Sequence, residues 1–285
     1  MKNHKVLLAG ASGYLGRFIA NELEKQGYPV RIILRNRKDI PFDTKNMEVV
    51  WSEVTKPESL TGILEGIDVV ISTVGITKQK DGFTYMDVDY QANKNLLEES
   101  KKAGAKKFIY VSAFNADKIR HLKIAAAKEK FVDELKSSGL DYCIIRPNGF
   151  FSDMTEFLEM ADRGKAELFG DGNYKMNPIH GKDLAIVCVN SIESEKNVVD
   201  VGGPEVFTHN EIVELAFNTM DKKVKIRYMP EWIRRMILWS ARTFTSSKKY
   251  GPMEFFFTVL AMDMVAPAYG EQRLSVFFDE MKTKI

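Results

Sequence analysis

Apolar residues fall along this chain in two alternating textures. Short runs of aliphatic and aromatic residues with little polar interruption occur at KVLLA (5–9), VRIIL (30–34), MEVVW (47–51), DVVIS (68–72), KFIYVS (107–112) and YCIIR (142–146). Between them, near 14–26, 57–65, 84–103 and 119–138, apolar positions recur every three or four residues. The first texture marks strands buried on both faces, the second amphipathic helices. Their alternation predicts an α/β fold with a doubly wound parallel sheet covered by helices on both sides.

After RPNGFF (146–151) the alternation weakens, and turns such as FGDGNY (169–174) and VGGPEV (201–206) separate shorter elements. Residues 1–150 are therefore expected to form the core, and residues 151–285 a smaller lobe packed on it that carries the substrate region, with late segments free to return to the sheet. With 45% hydrophobic and 28% charged residues in 285, the chain has enough apolar surface for one large domain or one and a half. Its 41 basic and 39 acidic residues are scattered, with no basic arm, which argues against nucleic acid as a partner.

Cys143 and Cys188 lie far apart in apolar segments and read as inert core thiols of a reducing compartment. The opening MKNHKVLLAG runs directly into a strand rather than a signal peptide, so a cytoplasmic location is expected. The longest apolar stretch, 253–267, contains Glu254 and Asp263 and is too short to span a bilayer. No histidine and carboxylate cluster has metal-ligand spacing, so no metal is expected. Nothing in the sequence specifies an oligomeric state.

GASGYLGR (10–17) follows the first strand and opens the first helix. Gly10 permits the tight turn, Gly13 lets backbone approach a pyrophosphate, and Gly16 lets the helix pack against the sheet. Ser12, Tyr14 and Leu15 complete this candidate dinucleotide loop. At the end of the second strand, where an enzyme preferring NAD(H) carries an acid, the sequence reads IILRNRK (32–38). Arg35 suits a ribose 2′-phosphate, with Arg37 and Lys38 close behind, so NADP(H) is favoured over NAD(H). Strand order places Glu53 and Val54 beside the adenine, and Ser72, Thr73, Val74 and Gly75 beside the central riboses.

Together with DVVISTVG, DYQANKNLLEESKKAG (89–104), KKFIYVSAF (106–114), AAKEKFVDELKSSGLDYCIIRPNGFF (126–151), NPIHGKDLA (177–185) and VGGPEVFTHNEIVELA (201–216), the glycine loop resembles the atypical short-chain dehydrogenase/reductase family, which has a Rossmann fold. The likeness is nearest to its NmrA-like and divinyl-reductase-like branch. In the broader family a tyrosine and a lysine stand one helical turn apart: the tyrosine exchanges a proton with the substrate, and the lysine binds the nicotinamide ribose. The resemblance places the lysine at Lys128 and the tyrosine position at Ile124, so the phenol is absent. It also brings the turn Arg146 to Phe151 against the nicotinamide, with Pro147 and Phe150 packing beside the ring and Asn148 reaching its polar edge; core packing alone explains the phenylalanines equally well.

Partial desolvation or a nearby oxidised nicotinamide is expected to lower the Lys128 ammonium pKa and make it a direct proton donor. Ser112, at the end of the fifth strand, either hydrogen-bonds a substrate carbonyl or satisfies the strand terminus. His121 is a substitute acid or, more simply, a surface histidine, and His180 orders a turn and caps the helix containing Asp183. PEWIRRMILWSARTF (230–244) is a helix with a broad apolar side: docked on the core, a lid over substrate, or touching membrane lipid. Two functions follow. One is an NADP(H)-dependent reductase of a carbonyl or conjugated double bond in an apolar small molecule. The other is a non-catalytic NADP-binding regulator or assembly subunit.

Overall fold

Val6–Ala9 (β1) is buried at all four positions, and a strand without a polar face is stable only inside a sheet covered on both sides. In the computed structural model, which describes residues 3–35, 43–77, 79 and 82–283, β1 is an interior strand of such a sheet. Next come α1 (Tyr14–Lys25), β2 (Val30–Leu34), β3 (Met47–Trp51), β4 (Val69–Ser72), α2 (Asn93–Lys102), β5 (Lys107–Val111), α3 (Lys123–Lys136) and β6 (Asp141–Pro147). The second half adds α4 (Thr155–Asp162), β7 (Ala166–Phe169), β8 (Lys175–Met176), α5 (Gly181–Asn190), β9 (Val198–Val201), β10 (Phe207–Thr208), α6 (His209–Thr219), β11 (Ile226–Met229), α7 (Glu231–Phe244), α8 (Ser247–Val259) and α9 (Leu274–Lys282).

The main sheet has seven strands in the order β3-β2-β1-β4-β5-β6-β9, and the registered pairs from β3 to β6 are parallel. This is the doubly wound Rossmann-like α/β arrangement, with its reversal of strand order between β1 and β4. The pairing of Ala9 with Ser72 sets the carboxyl ends of those two strands side by side.

Three helical expectations take a different local form. Over 57–65 only Pro57–Leu60 is helical, as a 3₁₀ turn, because Gly62 and Gly66 adopt φ of 75° and 69° and divert the chain. Over 84–103, a π-helical segment, Met86–Ala92, precedes α2. Before α3, Ala116–Ile119 forms a separate 3₁₀ turn.

The chain divides into two units, one of residues 1–146 and 184–199, the other of 147–183 and 200–285. Pro147, Asn148 and Phe150 thus fall in the second unit. There β8 pairs with β10 antiparallel and β7 with β11 parallel. Its organising residue is Asn177, fully buried. The Asn177 amide donates to the carbonyls of Gly203 (3.0 Å) and Ala266 (2.9 Å), and its oxygen accepts from Asn148 Nδ2 (2.8 Å) and Ala266 N–H (2.9 Å). Three distant stretches are tied through one side chain. His180 behaves as expected: its Nδ1 accepts from the Lys182 N–H at 3.1 Å, at the start of α5.

Replacing Asn177 by Ala leaves these buried groups without partners, and an urea titration should show a loss of about 3 kcal/mol. A loss under about 1 kcal/mol, the range of ordinary surface changes, would contradict this role for Asn177.

Candidate functional site

At the carboxyl end of β1 the turn is tight enough that only glycine fits. Gly10 has φ of 88°, and a Cβ there would stand 2.4 Å from Thr73 Oγ1. A Cβ on Gly16 would meet the Gly10 carbonyl oxygen at 2.0 Å, whereas one on Gly13 meets nothing closer than 3.2 Å. Gly10 and Gly16 therefore serve the fold, while exposed Gly13 and Ser12 leave an open approach to the start of α1. The first turn of a helix has N–H groups without intrahelical acceptors, and Gly13, at the N-cap, brings no side chain to cap them. An anionic phosphate suits such a terminus. Leu15 is buried and anchors the helix, and the Arg17 guanidinium lies over the Tyr14 ring at 5.4 Å.

The β4 turn continues the same edge. Thr73 Oγ1 lies 3.3 Å from the carbonyl oxygens of Ala9 and Gly10. Ser72 Oγ donates to Asn93 Oδ1 at 2.5 Å and receives the Val74 N–H at 3.3 Å. Asn93 Nδ2 in turn sits 3.0 Å from the Val74 carbonyl and 2.9 Å from that of Asp89. One buried amide thus locks the strand end to the π-helical segment. The wider π turn sets Asp89 four residues before Asn93, with both side chains buried toward residues 74–76.

Lys128 completes this cluster. Its Nζ is 2.9 Å from Asp89 Oδ1, and its side chain is 14% exposed while Asp89 is sealed. The Ile76 N–H donates to Asp89 Oδ2 at 3.3 Å. A Cβ on Gly75 would lie 2.6 Å from Asp89 Oδ1 and 2.9 Å from Lys128 Nζ, so glycine is required for the cation to reach this turn. Lys128 also lies 5.7 Å from the Tyr110 ring centroid.

The expectation of a lowered lysine pKa is corrected here. Burial does disfavour the ammonium, but the groups facing it, Tyr110 and Asp89, outweigh burial and hold its pKa above the ordinary lysine value. Burial in turn raises the Asp89 carboxyl against the pull of Lys128, and raises the Tyr110 phenol. Lys128 is a held cation rather than a ready acid. Neither nearby position supplies a phenol to the surface: Ile124 is buried, and Tyr110 is wholly inaccessible.

Ser112 belongs to a second cluster on another side of α3. Its single hydroxyl proton goes to buried Glu129 Oε1 at 2.9 Å, which removes it as a donor to a substrate carbonyl. Glu129 Oε2 receives Arg146 Nη2 at 2.6 Å, and Arg146 Nη1 is 3.2 Å from Asp117. This network secures the ends of β5 and β6. Asn148 is likewise committed: it donates to Asn177 and to the Met264 carbonyl and accepts from its neighbour Gly149, so its polar edge is used inside the second unit. Pro147 is buried there and Phe150 half-buried.

Arg35 is exposed just past β2. Glu53 holds Lys56 at 3.0 Å, and that ammonium, with a smaller contribution from Arg35, keeps its carboxyl below the usual range. The Val54 carbonyl accepts from Asn95 Nδ2 at 3.0 Å. Arg37 and Lys38 lie outside the described residues. His121 is exposed. Asp89, Asn93, Tyr110 and Glu129 were missed in the sequence, although Asp89 and Glu129 carried a signal: each is an acid on the apolar phase of its helix, four residues from buried Asn93 and Ala125.

The profile of the NAD(P)H-binding family matches residues 10–195. The chain is 30% identical over 304 residues to a chloroplastic divinyl chlorophyllide a 8-vinyl-reductase of Arabidopsis thaliana, covering 95% of this chain and 72% of that one. It is 27% identical over 230 residues to the photosystem II assembly factor Ycf39 of Guillardia theta, with 79% and 73% covered. In structure it is similar to an NADPH-dependent quinone oxidoreductase of Escherichia coli complexed with NADPH, with a TM-score of 0.72, 16% identity and coverage of 97% and 99%.

A double-mutant cycle on the ion pair, measured by denaturant unfolding without cofactor, tests the cluster. D89N and K128M should each cost about 3 kcal/mol, and the double variant should cost clearly less than their sum. Strict additivity would mean that the two side chains are not energetically paired.

Proposed function

We propose, from the premise that this chain belongs to the NAD(P)H-binding family, that it is an NADP(H)-dependent reductase acting on a carbonyl or conjugated double bond of an apolar small molecule. The observation that carries this reading is the unbroken contact path from the glycine loop to the cation: Gly10 against Thr73, and Gly75 against Lys128 two residues further on. A dinucleotide with its pyrophosphate at the start of α1 would run along that path. Ser12, Gly13 and Tyr14 face the phosphates on the turn that Gly10 and Gly16 make possible and Leu15 anchors, Arg35 takes the 2′-phosphate, Glu53 and Val54 flank the adenine, and Ser72, Thr73, Val74 and Gly75 line the riboses. Lys128 holds the hydroxyls of the nicotinamide ribose.

The nicotinamide, when bound, supplies a hydride. Reduction also takes up one proton, and a lysine held above its ordinary pKa is a poor source of it near neutral pH. We therefore assign the proton to water and give Lys128 the work of orienting the ribose and stabilising negative charge that develops on the substrate. The reductase relative directs the choice of substrate class toward a vinyl group conjugated to a large apolar ring system. The two buried free thiols fit the cytoplasmic location that we propose.

Ile124 favours a second reading. With no accessible phenol on α3 or β5, the chain is also suited to hold NADP(H) without turning it over, in keeping with its similarity to an assembly factor.

The deciding experiment incubates the full chain with NADPH and divinyl chlorophyllide a and follows both the 8-vinyl group and NADPH absorbance. Stoichiometric loss of both supports the reductase; tight NADPH binding with no turnover on this or other conjugated vinyl and carbonyl compounds supports the binder. Two variants check the residues. K128A should weaken NADPH binding about tenfold or more, as expected for loss of a charge-assisted contact. R35A should weaken NADPH by about tenfold while leaving NADH unchanged, and equal losses for both would remove Arg35 from the 2′-phosphate.

A further inference from the structure

The sequence leaves the apolar side of α7 docked on the core, placed over substrate or touching lipid, and the structure turns much of that side outward. Only Leu238 and Ala241 are buried. Trp232, Met236 and Trp239 are 62%, 51% and 63% exposed, and Phe244 at the helix end is 77% exposed. Every other exposed large hydrophobic residue described is at 54% or below and lies outside α7. The spacing 232, 236, 239 is a single helical face, one turn per step. Trp239 and Phe244 meet edge to face at 6.3 Å, so the stripe is continuous to the helix end.

Charge borders this stripe. Between 231 and 248 the sequence carries Arg234, Arg235, Arg242 and Lys248 against one acid, Glu231. Arg234 is tied to Glu231 and to the Phe257 carbonyl, and Arg242 to buried Glu254 of α8. Arg235 and Lys248 are exposed. On a helical wheel Arg235 and Arg242 flank the tryptophans on one side, the position from which a long cationic side chain reaches outward past an apolar surface. Among the described residues no helix is long and apolar enough to cross a membrane. An aromatic stripe with a basic border on a helix of this length is the pattern of a segment that lies in the plane of a bilayer, with tryptophan rings at headgroup depth.

We propose that α7 binds the surface of an anionic lipid bilayer through Trp232, Met236, Trp239 and Phe244, with Arg235 and Lys248 drawn to lipid phosphates. The contact is peripheral and reversible, and it gives the protein access to molecules dissolved in the membrane. It does not depend on whether the nucleotide site is catalytic.

The test is co-sedimentation of the full chain with sucrose-loaded vesicles of phosphatidylcholine, with and without phosphatidylglycerol, alongside sedimentation velocity without lipid. Wild type should bind the anionic vesicles, and its tryptophan emission should shift to the blue. W232S/W239S should bind at least about tenfold more weakly, and R235Q/K248Q about fivefold or more weakly with less preference for phosphatidylglycerol. V276S, which removes an exposed hydrophobic residue of α9, should bind as wild type does. No binding by wild type, or binding unchanged in W232S/W239S, overturns the proposal. So does a dimer that W232S/W239S dissolves while vesicles are ignored, because the stripe would then be covered by a second copy. Circular dichroism confirms that each variant is folded; all five substituted side chains are exposed, so folding is expected to survive.

Discussion

Burying an ammonium group is costly unless a carboxylate goes with it, and at the end of β4 that requirement governs three elements together. Lys128 on α3 is drawn to Asp89, which the π-helical segment carries into the interior, and the meeting point is open only because residue 75 lacks a Cβ. Asn93 then fixes the same turn by its amide. The strand end, the helix before β5 and the helix after it are thereby held in one arrangement. The dinucleotide loop shares it through the contact of Thr73 with Gly10.

The sheet was legible in the sequence because parallel strands covered on both faces leave nearly continuous apolar runs, and all six runs became strands, including β3 at the edge, where Glu48 and Trp51 are exposed. Helices were less legible where backbone detail intervened: glycines at 62 and 66 cut one short, and a wide turn entered another. The glycine loop was readable for the opposite reason, since its steric demands act over seven residues of continuous chain. The Lys128 cluster was only half readable. Its partner lies 39 positions earlier in sequence, as the separation of Asp89 and Lys128 shows, and no local pattern reports a contact across two helices.

The same gap bears on the lysine pKa. Burial considered alone lowers an amine's pKa, whereas here Tyr110 first and Asp89 second raise it against burial, and periodicity had brought neither residue into view. Ser112 and Asn148 show a related gap. The sequence leaves Ser112 between a substrate carbonyl and the strand terminus and aims Asn148 at the ring by resemblance alone, and in the structure both hydrogen-bond to neighbours, one to Glu129 and the other to Asn177. A buried hydrogen-bonding group is normally satisfied within the protein, so an interior polar residue is a weak indicator of a ligand unless some capacity is left over.

The Asp89 contact has a bearing on how such a site can change over time. Because a carboxylate on a different helix pairs with the cation, Lys128 has a partner that does not depend on the buried side chain at position 124. A substitution there changes the chemistry of that face of α3 without removing the carboxylate that Lys128 pairs with. The groups that hold the cation and the side chain at position 124 can thus vary separately within one fold.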